Sequence, residues 1–253
     1  MLKLGKRLQK LNELVVTNYD HIWDCCCDHG YLGSSLLTRQ AANVIHFVDI
    51  VPELMSGLNY KLNQFYPEQS LLNQITNKDS LEESLWKTHC IDVNDLPLQD
   101  YIGRHLVIIA GVGGDLMTDF VTSTCQQNPQ LEIDFLLCPV HHQYTLRQQL
   151  INLDLRLQQE VLVEENNRFY EMLLVSTKQR TDVNSNIDLK AVSKTGKELW
   201  QTYTEKELKI AKQYLTKTLQ HYRRIQQGGR VDVSDIIEAY EAVNINSLVV
   251  LGP

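Results

Sequence analysis

Between Lys3 and Val15, apolar residues recur at Leu4, Leu8, Leu11 and Val15. This is the spacing of one helix face, and Lys3, Lys6, Arg7 and Lys10 fall on another. Five short apolar runs follow: His21 to Cys25, Val44 to Asp49, Lys87 to Asp92, His105 to Gly111 and Asp134 to Pro139. Their length and apolar character predict strands. Helix-like segments lie between and after them, at Tyr31 to Gln40, Glu53 to Phe65, Leu116 to Gln127 and Tyr144 to Leu153. Such alternation predicts an α/β fold, a parallel sheet with helices on both faces. Two further runs, Leu155 to Glu165 and Arg168 to Thr177, flank Asn166-Asn167, a pair suited to a tight turn. An antiparallel hairpin should therefore end the sheet.

Residues 178 to 187 form a polar break, where few contacts should cross. A long helix is then expected from about Lys197 to Gln226, with Leu208, Ala211, Leu215, Leu219 and Tyr222 on one stripe and Lys206, Lys209, Lys212, Lys217, Arg223 and Arg224 largely opposite. Gly228-Gly229 ends it, and Ser234 is placed to cap a short second helix through Val243. The narrow stripe suits an antiparallel, coiled-coil-like helix pair. The chain divides accordingly into a main domain over 1–177, a linker over 178–187 and a helical appendage over 188–253.

Charge sharpens this division. The net charge is -7, yet residues 178 to 230 hold 12 Lys and Arg against 5 Asp and Glu, a balance of +7. A basic appendage on an acidic body points to a polyanionic partner. No apolar run approaches the ~20 residues that span a bilayer, and the N-terminus lacks the apolar stretch of a signal peptide, so a soluble cytoplasmic protein is expected. The six cysteines are read as small packable residues. Three of them are adjacent, whereas metal ligands are usually spaced by two to four residues.

Ligands of such sheets bind beyond the carboxyl ends of the strands, and polar or glycine-rich residues recur there. After the first strand comes Asp24-Cys25-Cys26-Cys27-Asp28-His29-Gly30, which falls on the spacing D-x-G-x-G-x-G with only the last glycine kept. The second strand ends at Asp49, which suits either two ribose hydroxyls or a helix cap. The third leads to Asp92 and Val93, positioned to meet an adenine, with Asp79 a competing candidate. The fourth ends Ala110-Gly111-Val112-Gly113-Gly114, open either to a flat ligand or to a simple turn before a helix capped by Asp115.

Together these stretches resemble class I S-adenosylmethionine-dependent methyltransferases, and most closely the bacterial tRNA adenine-N1 methyltransferases acting on adenine 22. That family's D-I-G-S-D-H-A-Y-L appears as DCCCDHGYL, Asp24 to Leu32. KRLQ, Lys6 to Gln9, also matches, as does IAGVGG, Ile109 to Gly114, against I-A-G-M-G-G. EENNRFYEMLLV parallels E-E-x-G-K-x-Y-E-I-L-V. The motifs cover residues 4 to 177, and the appendage is similar by type rather than letter.

The resemblance implies a Rossmann-like sheet and S-adenosyl-L-methionine held by Asp24, Cys26, Asp28, His29, Gly30, Tyr31, Asp49, Ile50, Asp92, Val93, Ala110 and Gly111. It implies tRNA as partner, held by Lys6, Arg7, Pro139, Arg168, Tyr170, Lys209, Lys212 and Arg223, and no metal or membrane. Asp28, Gly111, Gly113 and Gly114 are the candidates for steadying the reaction. Cys26 stands where the family has glycine, and Cys138-Pro139-Val140 where it has Q-P-N. His141, His142 or Gln143 could replace the lost amide, or the histidine pair is simply polar surface. Residues 66 to 86 also look longer than the family's connection. These departures leave two other readings: a methyltransferase on another substrate, and a non-catalytic RNA-binding relative.

Overall fold

The computed structural model describes residues 4–16, 19–67, 85–178 and 189–247. Helix α1 (Lys6–Leu14) precedes strand β1 (Tyr19–Cys25), α2 (Tyr31–Thr38), β2 (Ala42–Asp49), α3 (Pro52–Phe65) and β3 (Trp86–Cys90). Two 3-10 turns, Val93–Asp95 and Leu98–Asp100, lead to β4 (His105–Ala110), α4 (Gly114–Gln127), β5 (Ile133–Cys138) and α5 (Gln143–Asn152). The hairpin β6 (Arg156–Glu165) and β7 (Arg168–Ser176) follows. After it come β8 (Lys190–Ala191), a 3-10 turn (Lys197–Trp200), β9 (Gln201–Thr202), α6 (Glu205–Gln227), α7 (Ser234–Glu241) and β10 (Asn246–Ser247).

Eight strands form one sheet in the order β3-β2-β1-β4-β5-β7-β6-β8. Pairing is parallel from β3 through β5 and antiparallel from β5 through β8, with β9 and β10 paired separately. The mostly parallel sheet, its terminal hairpin and the C-terminal helices are as expected. Between β1 and β4 the strand order reverses, which opens a crevice beyond their carboxyl ends.

Both faces of the central strands are covered, so their residues are apolar almost without alternation. Ile22, Ile45, Phe47 and Leu106 pack under α1, α2 and α3, and Trp23, Val48, Val107 and Ile109 under α4 and α5. A third cluster, with Tyr144, Leu199, Trp200, Ala211, Tyr214 and Tyr240, seats the appendage on the hairpin and α5. A buried ion network joins the same elements. Arg147 Nε donates to Glu171 Oε2 at 2.7 Å, and Tyr214 Oη donates to Glu171 Oε1.

Several element ends differ from the sequence reading. The helix expected from Lys197 starts at Glu205, because Thr204 and Glu207 form a reciprocal capping box. At α7 the cap is not Ser234, the first helical residue: Asp232 Oδ1 accepts from Ser234 N at 3.0 Å. Helix α4 begins at Gly114 with Gly113 as its N-cap, so Asp115 lies within the first turn. The turn at Asn166-Asn167 has positive φ at both residues, 51° and 61°, as a two-residue hairpin of type I′ requires. Most of the expected linker, Asp79 and most of the connection over 66–86 lie outside the described residues.

His21, His46 and His89, on adjacent strands, form a ladder: His21 Nδ1 is 3.1 Å from His46 Nε2, and His46 Nδ1 is 2.9 Å from His89 Nε2. His21 Nε2 contacts the Ile102 carbonyl, which can only accept, so the contacts are satisfied when every ring is neutral and protonated on Nε2. Burial, aided by His89 and His21, pushes the His46 pKa down to about 2.

Candidate functional site

The loop after β1 carries the first part of the site. Cys26, Asp28 and Gly30 have φ of 53°, 52° and 68°. All three glycine slots of the D-x-G-x-G-x-G spacing therefore adopt the left-handed conformation, although only one holds glycine. For an L-residue this costs about 1–2 kcal/mol. Gly30 accepts the geometry freely, and an added Cβ there would lie 2.7 Å from Leu58.

Asp24 closes the loop onto α2 by accepting from Gly33 N at 2.8 Å. An added Cβ on Gly33 would lie 2.3 Å from the Phe47 ring and 2.8 Å from the Asp24 carboxylate. Gly33 is thus a site residue that the sequence reading missed. A glycine in the first turn of a helix, flanked by leucine and serine, was the available signal, since glycine weakens helices unless close approach requires it.

Asp49, at the end of β2, joins the same loop: Oδ2 accepts from Asp28 N at 3.0 Å and Oδ1 from Val51 N at 3.1 Å. Cys26 is half-buried, and burial together with Asp49, Asp24 and Asp92 pushes its thiol up to about 12. The thiol is therefore protonated, with three carboxylates around it. Asp92 itself caps the following 3-10 turn by accepting from Asn94 N at 2.8 Å. Val93 is buried below it, while Ile50 and Tyr31 are exposed. Asp28 and His29 point outward and lie 3.7 Å apart.

Burial, opposed by the Gly33 amide and reinforced by Asp49, raises the Asp24 pKa to about 7. A carboxyl with a raised folded-state pKa stabilises the fold fully below its unfolded value near 3.8, and that contribution is lost as pH rises through 7. The slope is about 1.4 kcal/mol per pH unit. Asp24→Asn should therefore become more stable relative to the parent as pH rises from 4 to 7. Urea unfolding at several pH values checks this. The depressed His46 has the opposite slope but cancels in the comparison. A pH-independent difference would show that Asp24 is ionised throughout.

The second half of the site lies beyond β4 and β5, whose following loops are zipped together. Gly111 N donates to Cys138 O, Val140 N to Val112 O, and Gly114 N to His141 O, at 3.2, 3.0 and 2.8 Å. Gly113 and Gly114 leave no room for a Cβ: it would lie 2.3 Å from the His141 ring and 2.4 Å from the His142 carbonyl. Pro139 is buried rather than presented at the surface. Arg7 reaches in from α1, with its guanidinium 5.3 Å from the Tyr170 ring centroid and beside Gly111. Burial pushes the Cys138 thiol up to about 12, with the Arg7 charge opposing it. Four regions far apart in sequence thus meet at one mouth: Arg7, Gly111 to Gly114, Cys138 to His142, and Tyr170. Ala110 lies at the strand end beneath it.

The remaining candidates lie away from the mouth or on its rim. Lys6 and Arg168 are exposed. Lys209 and Lys212 line an open groove of about 750 Å³ between the hairpin and α6, with Lys206, Lys217, Asn167 and Phe169. Arg223 is not in that groove but pairs with Glu241 of α7 at 2.6 Å. No group of three or more metal-ligating side chains occurs among the described residues, and none of their helices is long and apolar enough to cross a membrane.

A family model described as "Methyltransferase domain" matches residues 4–173. Among solved structures, the chain is similar to the Bacillus subtilis m1A22 tRNA methyltransferase TrmK, with 20% identity, a TM-score of 0.60 and coverage of 95% of this chain and 98% of that one. It is also similar to M. capricolum TrmK, solved with S-adenosyl-homocysteine: 15% identity, a TM-score of 0.63 and coverage of 94% and 93%. A Streptococcus pneumoniae protein in complex with S-adenosyl-L-methionine shows 17% identity, a TM-score of 0.61 and coverage of 94% and 98%. No curated protein sequence matches the chain.

Proposed function

The chain belongs to the methyltransferase-domain family, and on that premise we propose that it transfers a methyl group from S-adenosylmethionine to N1 of an adenine in tRNA, adenine 22 by family resemblance. The observation that carries the cofactor half is Asp24. It is a buried carboxyl held near neutrality with one hydrogen bond from the described residues, and a cationic ligand would draw it into the charged form. Asp24 to Gly30 would hold the methionine end of the cofactor, and Asp49 its ribose. Bound there, it supplies an electrophilic sulfonium methyl.

Adenine N1 carries an accessible lone pair, so the chain needs to place the base rather than deprotonate it. Gly111 offers a place where a ring edge can approach, since an added Cβ there would meet, among the described residues, only the Arg7 guanidinium, 3.5 Å away. Asp28, exposed on the loop after β1, is the acid we assign to a product ring that has become cationic. Because N1 lies on the pairing edge, the base must enter unpaired. The substrate half rests on the motif matches and on a likeness to TrmK structures that extends through the appendage.

Nucleoside analysis of tRNA after incubation with protein and labelled cofactor tests the reaction. The expected product is N1-methyladenosine, which rearranges to the N6 isomer only on alkaline treatment. N6-methyladenosine before alkali, or a methylated guanine or cytosine, would overturn the assignment.

The lysine groove is the proposed grip on the phosphate backbone. Reversing Lys209 and Lys212 to Glu should weaken tRNA binding and flatten its dependence on salt, with cofactor affinity unchanged. Arg223→Glu should weaken binding too, but it also breaks a pair with Glu241, so its effect will include a loosened α6–α7 contact. Unaltered tRNA affinity in the Lys209/Lys212 variant would make the groove a structural feature only.

A further inference from the structure

We propose that the His141 imidazole is the surface against which the acceptor base stacks. The proposal rests on the reading of this chain as an adenine methyltransferase. A base that leaves its own stack needs a flat partner, and side-chain rings supply one for any base. The floor of the mouth, Gly111 to Gly114, has almost nothing to offer in that respect. Of the rings beside it, Tyr170 is half-buried with Arg7 over it. His141 is exposed.

Its position is built rather than incidental. The absence of a side chain on Gly113 makes room for the ring, since an added Cβ would fall 2.3 Å from Cε1 and 2.8 Å from Nε2. The His141 carbonyl accepts from Gly114 N at 2.8 Å, which locks the backbone of one loop to the other. The next residue, His142, takes a left-handed φ of 58° as the N-cap of α5, and its Nδ1 lies 2.5 Å from Asp115 Oδ2. Its ring meets that of His141 at 66°, with centroids 4.4 Å apart, so it braces the first ring at its edge. Val140, the residue before His141, is 40% exposed. The imidazole thus stands at the carboxyl end of the sheet between the loops of β4 and β5, beside Gly113, while Arg7 lies beside Gly111.

Two variants separate stacking from other roles. His141→Ala should lower kcat/KM for tRNA by roughly tenfold or more, the worth of a lost base–ring stack, while His141→Phe keeps a flat ring and should stay within about threefold of the parent. Cofactor affinity by calorimetry should be unchanged in both. If phenylalanine is as damaging as alanine, the ring nitrogens and not the ring face matter, and the proposal fails; it fails equally if alanine is harmless.

A second measurement does not depend on tRNA being the substrate. The Cε1 proton resonance of His141, assigned by its absence in His141→Phe, is followed while adenosine monophosphate is added to protein saturated with S-adenosylhomocysteine. An upfield ring-current shift is expected. A resonance that does not move overturns the stacking role even if tRNA methylation is observed, and a shift without tRNA methylation would preserve the base site while the tRNA reading falls.

Discussion

Replacing Arg147 by alanine should lower the stability of this protein by about 3–5 kcal/mol and its Tm by roughly 10 °C. The guanidinium is fully buried between two carboxylates. It donates to Glu171 at 2.7 Å and to the Ser193 carbonyl at 3.1 Å, and its Nη2 sits 2.8 Å from Glu160 Oε2, within ionic contact but off a hydrogen-bond axis. Burial opposes its charge, and Glu171 and Glu160 outweigh that burial. Removing it leaves two desolvated acids facing one another. Because Glu171 also binds Tyr214 of α6, the arm should loosen before the body unfolds, which hydrogen exchange in α6 would register. Replacing Arg147, Glu160 and Glu171 together by apolar residues should recover most of the loss, since no charge of this network then remains buried. A single variant as stable as its parent would mean that the acids take up protons at little cost.

Asp49→Ala is expected to weaken S-adenosylmethionine binding at least tenfold, corresponding to about 1.5–3 kcal/mol for hydrogen bonds to a charged acceptor. The carboxylate is 8% exposed and already accepts from Asp28 N and Val51 N. Its remaining lone pairs are the ones proposed for the ribose hydroxyls. Alanine also frees the Asp28 amide, whose residue is held at φ 52°, so the loop loses an anchor at a strained position. Asp49→Asn keeps one acceptor and should fall between alanine and the parent. Calorimetry decides the matter: unchanged affinity in the alanine variant would place the ribose elsewhere.

The parallel sheet and its hairpin were legible because their signals are local. Asn166-Asn167 announces a tight turn within two residues, and the apolar runs of β1, β2, β4 and β5 follow directly from burial on both faces. The start of α6 was also written locally, as Thr204 with Glu207 three residues on, a signal that an expected start at about Lys197 passed over. The loop after β1 could be placed by its spacing, whereas its left-handed geometry could not be read from cysteine and aspartate, which rarely adopt it.

What local pattern cannot convey is juxtaposition. Nothing in the text of the chain brings Arg7 beside Gly111, sets His141 over Gly113, or lines up three histidines from three strands. Arg223 shows the same limit from the other side: its basic character was evident, while its pairing with Glu241 depends on how α7 folds back.

The hairpin ties two of these places together. Phe169 lines the lysine groove and its neighbour Tyr170 lies beneath Arg7 at the mouth, because successive side chains of a strand point to opposite faces. The strand is therefore a partition wall with one occupied surface in each compartment. Its alignment is set at the two-asparagine turn, so an inserted or deleted residue there would not merely lengthen a loop. It would shift β7 by one position and turn Phe169 and Tyr170 each to the opposite face, so that the groove and the contact under Arg7 would both lose their present rings. Backbone grip and reaction centre consequently cannot drift independently in sequence, since one count of residues keeps both in place.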